Sequence, residues 1–256
     1  MNTDFNAMQV TMHHYKTLLT ATKQRFAMAH IKSLKGLSPI PGKSCFLRHD
    51  VDLSPERALS MAEVEAACGM ISTYYVLLRS PFYNALEAKN TKIWQRILSL
   101  GHEVGLHFDP QPYGSLSPTE SHWVSAMQHE ASILSNELQS PVESFSFHNP
   151  RVDNWDSLQQ TQYGGFVNAS CEQLRSLSFY GDSGGMLHKG SFPTYLEQLD
   201  SHASLYILIH PDWWYETLLS IEEKVIQAAD HQYDAALRYW EYVVTSIGGS
   251  VSLRRS

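Results

Sequence analysis

The strongest constraint on this chain is a unit that recurs along it: a helix, then a glycine or proline break, then a short apolar strand. Ser54-Pro55 reads as an N-cap with proline at the first helical position, and Gly69 stops the helix. Residues 71–78 (ISTYYVLL) follow as a strand rich in β-branched and aromatic side chains. The unit returns at 89–100, where Ile93, Trp94, Ile97 and Leu98 keep helical spacing, Gly101 ends the helix and HEVGLHF continues as a strand. A third pass starts at Ser117-Pro118 and places Val124, Met127, Ala131, Leu134 and Leu138 on one helical face. Ser140-Pro141 breaks it before the alternating strand SFSFH (144–148). CFLRHDVD (45–52) is a strand ahead of these units, and LYILIH (205–210) is the most apolar strand, followed by a long helix over about 221–247. Shorter strands are expected near Phe166–Val167 and Ser178–Tyr180. About the first 35 residues read as a helix with Met8, Met12, Tyr15, Leu19 and Phe26 as its apolar stripe.

Strands alternating with helices predict an α/β fold with a parallel sheet and right-handed crossovers. Some seven strands close into a barrel or remain an open sheet. In a barrel, function gathers at the C-terminal ends of the strands. The 256 residues, 43% of them hydrophobic, are enough for one sizeable core, with residues 1–40 as a helical extension and 41–256 as the barrel. A net charge of −7 argues against a nucleic-acid binder, which needs a basic face. No apolar run reaches the ~18–20 residues of a membrane span, and no secretion signal is evident at the N-terminus. Cys45, Cys68 and Cys171 are few, odd in number and far apart, so they read as packing residues in a reducing, cytoplasmic setting.

The chemistry-bearing residues do collect where strands end. One strand ends in Arg48-His49-Asp50-Val51-Asp52, another in His107-Phe108-Asp109, a third in His148-Asn149-Pro150-Arg151, and the last in His210-Pro211-Asp212. The two-residue period of a strand puts Arg48, Asp50 and Asp52 in one row. Two adjacent carboxylates repel unless a cation separates their roles, so one aspartate as metal ligand and the other as free base resolves the pair. A solvated turn feeding the next helix is the plainer reading of Asp52, and a hydrogen-bonded core histidine that of His107. His102 falls on the opposite face from His107 and is expected to be structural. His148 shares a face with Ser146, and His210 with Tyr206 and Leu208. A histidine at such a rim suits metal ligation or general acid catalysis.

Taken together, RHDVD, GHEVGLH, FHNPR and LIHPDWW resemble the motifs of the polysaccharide deacetylase superfamily, the carbohydrate esterase family 4 type, over roughly Cys45 to Trp214. RHDVD is similar to the D-x-D form of that family's aspartate motif. The resemblance implies a distorted, seven-stranded (β/α) barrel with an extra N-terminal helix. It also implies a divalent metal, Zn²⁺ first, and an N-acylated sugar or sugar conjugate as substrate. Position by position, Asp50 becomes the catalytic base with Arg48 tuning it, Asp52 and His107 metal ligands, and His210 the general acid. The family's second metal histidine stands four residues after the first, and here that position is Gln111. His148 is the first choice for the missing ligand and Asp109 the alternative. Arg151, Asp182 and Trp213 are assigned to substrate, with Asp182 in a rim loop read alternatively as orienting a catalytic side chain or as part of a plain turn, and other aromatic residues (Tyr74, Tyr75, Phe82, Tyr83, Trp214) either stack on sugar rings or pack in the core. The implied activity is hydrolytic N-deacylation in surface-polysaccharide assembly. The alternatives are a metal-free carbohydrate-binding pseudoenzyme and a C–N hydrolase of a cyclic imide or ureide.

Overall fold

The computed structural model describes residues 10–37, 39–114 and 116–251. One curled, mostly parallel sheet forms the centre, and it has the expected deacetylase-type α/β architecture. Its strands are β1 (Ala27–Met28), β2 (Ser44–Val51), β3 (Thr73–Leu77), β4 (Glu103–Phe108), β5 (Ser144–Phe147), β6 (Gln162–Tyr163), β7 (Phe166–Asn168), β8 (Ser178–Gly181) and β9 (Leu205–Ile209). The order across the sheet is β6-β7-β5-β4-β3-β2-β9-β8, with β1 beside the start of β2. Seven of these are longer than two residues and correspond to the anticipated strands; the two-residue β1 and β6 are additions. Only β6–β7 is antiparallel.

The helices are α1 (Met12–Arg25), α2 (Pro55–Ala67), α3 (Ala88–Ser99), α4 (His122–Leu138), α5 (Glu172–Arg175), α6 (Phe192–Glu197) and α7 (Ile221–Ser246). Their ends follow the local chemistry. The Ser54 side chain caps α2 and Pro55 opens it, and Ser220 with Glu223 forms a capping box on α7. The first helix is shorter than its apolar stripe suggested. It stops at Arg25, because Phe26 turns extended and Ala27–Met28 pairs with β2 instead; a 3-10 turn over Ile31–Gly36 follows. Met12, Tyr15, Leu19 and Phe26 are buried, and Met8 lies outside the described residues. All three cysteines are free, with Cys45 and Cys171 buried and Cys68 half-buried.

The two faces of the sheet carry different chemistry. Outward residues of β3, β4 and β5 (Tyr74, Val76, Val104, Leu106, Phe145, Phe147) pack under α2, α3 and α4, while Leu47, Leu205, Ile207 and Ile209 meet α1 and α6. Inward residues form layers. At the bottom, Phe46, Tyr75, Val167 and Tyr206 join Ile31 and Leu34 of the 3-10 turn. The Tyr206 hydroxyl donates to the Ala169 carbonyl at 2.7 Å, linking β9 across the interior to the segment after β7. Gly105 is required here: a Cβ at that position would overlap the Tyr75 ring and sit 2.9 Å from the Ser144 carbonyl. Tyr75 itself donates to the Ser144 hydroxyl.

One buried polar cluster lies on the outer face of β2. The Glu65 carboxylate of α2 accepts from the hydroxyls of Tyr15, Tyr74 and Ser72, and sits 2.8 Å from His49 Nε2. His102 bonds Ser72 and the Ala62 carbonyl, which gives it the structural part expected of it. Burial raises the Glu65 carboxyl, but His49 and His102 outweigh it and hold the group down at about 2. The strand that carries the catalytic candidates is therefore fixed from behind by charge-assisted bonds.

Candidate active site

The parallel strands end on one rim, and the side chains there come from β2, β4, β5, β8 and β9. Arg48 and Asp50 point inward from β2. Arg48 Nε donates to Asp50 Oδ1 at 2.7 Å and Nη2 to Oδ2 at 2.6 Å, a bidentate pair that is almost wholly buried. Arg48 Nη1 also donates to the Tyr206 hydroxyl at 2.9 Å, and the guanidinium lies over the Tyr75 ring. Burial alone raises the Asp50 carboxyl, but the Arg48 and His107 charges reverse this and hold it well below the usual carboxylate range. Asp50 is thus a carboxylate at any ordinary pH.

One residue past the end of β2, Asp52 turns toward β4. His107 Nε2 is 3.4 Å from Asp52 Oδ1 and 3.7 Å from Asp50 Oδ2. His107 Nδ1 is 2.7 Å from the Ser146 hydroxyl of β5. His148 follows β5 directly, with its ring 5.3 Å from that of His107 and perpendicular to it. Asp52, His107 and His148 each bring one donor atom to within 4.8 Å of the others, and no other such group of three exists among the described residues. Two observations match this donor set to a divalent cation. Asp52 Oδ1 is buried and makes no well-formed hydrogen bond, its nearest polar neighbour being His107 Nε2 at 3.4 Å. The Ser146 contact occupies His107 Nδ1 and leaves Nε2 for ligation, the arrangement that outer-shell groups impose on metal-bound histidines. Two imidazoles and a carboxylate are donors suited to a divalent metal ion.

Asp109 stands behind this cluster. Its Oδ2 is 3.4 Å from His148 Nδ1, and its Oδ1 accepts from the Gln111 backbone. Burial lowers the His148 imidazole, but the Asp109 bond and the Asp52 charge outweigh it and raise it. Gln111 is exposed at the start of a short 3-10 turn, outside the cluster. Arg151 is exposed on the rim just beyond His148.

His210 ends β9 on the other side of Asp50. Asp182, next after β8, is completely buried and accepts from His210 Nδ1 at 2.7 Å, from the His210 backbone N–H, and from the Trp214 indole at 2.7 Å. Its assignment to substrate is therefore corrected: it has no exposed surface and holds His210 from behind. Burial lowers the His210 imidazole, but Asp182, Asp52 and Asp50 overcome this and push it up to about 10. Trp213, also assigned to substrate, is only 9% exposed and packs against Gly185. Tyr74, Tyr75 and Trp214 are core residues with under 2% exposure, which removes them from sugar stacking. Two residues to which the sequence reading gave no role of their own belong to the site. One is Ser146, the partner of His107. The other is Asp212, whose two oxygens accept from the backbone N–H groups of Asp52 and Ser54.

No protein-family model matches the sequence, and no curated protein matches it. Solved structures do resemble it at low identity. A CE4 family pseudoenzyme from Bacillus anthracis is 16% identical, with a TM-score of 0.42 over 77% of this chain and 67% of that one. A family 4 carbohydrate esterase from the same organism is 12% identical, with a TM-score of 0.40 over 87% and 86%. A family 4 acetyl xylan esterase from Clostridium thermocellum, solved with a cobalt ion, is 11% identical, with a TM-score of 0.38 over 75% and 84%.

Proposed function

We propose that this protein is a metal-dependent hydrolase that removes an N-acyl group from an amino sugar or sugar conjugate. The observation that carries the reading is the Asp52–His107–His148 cluster, with an Asp52 oxygen that makes no well-formed hydrogen bond, set beside a carboxylate locked to an arginine and a histidine locked to a buried aspartate. Asp52, His107 and His148 would hold the ion, Zn²⁺ being the first choice for this donor set. When bound, it supplies Lewis acidity, polarising the acyl oxygen and acidifying water at the site.

The chain's own groups do the rest. Asp50 is held in its charged form by Arg48 and would accept the proton of the attacking water at a carboxylate oxygen. The oxygen of that water adds to the acyl carbon as Asp50 receives the proton. His210 is protonated at neutral pH and gives its Nε2 proton to the departing nitrogen as the C–N bond breaks. Asp182, at Nδ1, fixes the ring so that Nε2 is the donating atom. The products are a carboxylic acid and a free amine. Arg151, exposed three residues after His148, would meet hydroxyl or anionic groups of the substrate.

The test is a panel of N-acetylated monosaccharides, nucleotide sugars and oligosaccharides, with release of acetate measured with and without added Zn²⁺. The expected result is turnover that depends on the metal and disappears in Asp50→Asn. Turnover by Asp50→Asn at the wild-type rate refutes the mechanism. Metal-independent sugar binding with no acetate release refutes the activity.

A further inference from the structure

We infer that Asp212 is a positioning residue: it clamps the turn bearing Asp52 to the turn bearing His210, and so sets the metal-ligand arm against the acid arm. The inference rests on the function proposed above for its consequence in metal binding, but not for the clamp itself. The Asp52 and Ser54 backbone N–H groups lie where β2 has ended at Val51 and α2 has not begun. Neither a strand ladder nor a helix supplies their acceptors. Asp212 does so from about 160 residues away in sequence: Oδ2 accepts from Asp52 N–H at 3.0 Å and Oδ1 from Ser54 N–H at 2.7 Å.

The carboxylate is 3% exposed and has no cationic partner among its hydrogen bonds. Burying it there, beside Asp52, is electrostatically unfavourable. An asparagine would be neutral, but it offers one acceptor where two N–H groups converge. The geometry therefore favours the aspartate on the ground of two donors to be satisfied. The other end of the linkage is equally fixed. The turn from His210 to Trp214 is tied to Asp182 at both ends, through the His210 ring and N–H and through the Trp214 indole. It is closed internally by Trp213 N–H to the His210 carbonyl and Trp214 N–H to the Pro211 carbonyl. Asp212, in the middle of this rigid turn, is the group that reaches across to β2. A displaced Asp52 would no longer face His107 and His148, while Asp50, which is held by Arg48 within β2, would stay in place.

The experiment compares full-length wild type, Asp212→Asn and Asp212→Ala by residue-resolved amide hydrogen exchange and by Zn²⁺ affinity against a competing chelator. In wild type, the Asp52 and Ser54 amides are expected to be protected; fast exchange at both overturns the clamp without any variant. In Asp212→Ala, protection at these two amides falls at least tenfold while the β3 and β4 amides keep theirs. Zn²⁺ affinity falls by about 10–100-fold, the range for outer-shell changes. Asp212→Asn, which keeps the volume and one acceptor, falls between the two and serves if the alanine variant does not fold. Unchanged protection at Asp52 and Ser54 in a folded variant overturns the proposal, as does lost protection with unaltered Zn²⁺ affinity. Failure of wild type to bind Zn²⁺ overturns the metal reading instead and leaves the exchange result to decide the clamp.

Discussion

Replacing Asp182 by asparagine removes one charge from beneath His210 and changes little else in volume. The carboxylate now accepts from three groups, the His210 ring, the His210 N–H and the Trp214 indole. The amide keeps one oxygen and turns an NH₂ toward a donor. The magnitude follows from the imidazole. Its ordinary value is 6.5, and despite a downward push from burial it stands at about 10, with Asp182 the leading cause of the rise. At about 1.4 kcal/mol per unit, that gap corresponds to an upper bound on the order of 5 kcal/mol, in the range of roughly 3–5 kcal/mol for breaking a buried pair. The sign is that of a raised base. The contribution is fully present below about pH 6.5 and is lost as pH rises toward about 10. Denaturant unfolding of both proteins between these limits should therefore give a stability gap that is widest at the acidic end and narrows upward. NMR titration of the His210 ring should give a midpoint near 10 in wild type and one that falls back toward 6.5 in Asp182→Asn. A wild-type midpoint near 6.5, or a gap that does not change with pH, refutes the argument that Asp182 holds His210 in its charged form.

Further outcomes are expected. Asp52→Asn and His107→Ala should each weaken Zn²⁺ binding by more than about 100-fold, beyond the usual outer-shell effect, whereas Gln111→Ala should leave it unchanged in chelator competition. Gly105→Ala drives a methyl group into the Tyr75 ring and the Ser144 carbonyl, so it should cost about 1–3 kcal/mol and lower the Tm by roughly 2–4 °C per kcal/mol. An unchanged melting curve would contradict the filled interior. Glu65→Gln should destabilise at neutral pH, since the carboxylate contributes stability above its ordinary 4.5 that disappears as pH falls through about 2. Urea unfolding at neutral and at acidic pH checks that the wild-type advantage shrinks in acid.

The rim was legible because chemistry and periodicity coincide there. Arg48, Asp50 and Asp52 alternate with buried outward residues, so the row could be read from the two-residue period. His107, His148 and His210 each stand within one residue of a strand end that an apolar run announces. What escaped was settled by distance in sequence. Asp212 stands two residues after His210, yet its partners are the backbone groups of Asp52 and Ser54, which no pattern connects to it. Asp182 sits in a glycine-rich stretch that leaves a substrate contact, a plain turn and a prop for a catalytic side chain all open; its burial under Trp214 is not legible there. Glu65 left a readable trace: it falls on the same helical face as Ala58, Met61 and Ala62, a carboxylate on a buried stripe. The overlong first helix has a plain cause as well, because Phe26 is buried whether the chain continues as helix or crosses to pair with β2.

The place of β2 in the sheet bears on how such a chain is made. Its neighbours are β1 and β3, close to it in sequence, and β9, where Cys45 lies opposite Leu205. A chain emerging from the ribosome holds β2 with one edge open until β9 is made, about 150 residues later, and long-range pairings of this kind form slowly. Only when residues 205–212 arrive do β9, His210 and Asp212 close that edge. Completion of the curled sheet and assembly of its rim thus become one event, and truncation ahead of Leu205 would leave a sticky, half-paired sheet.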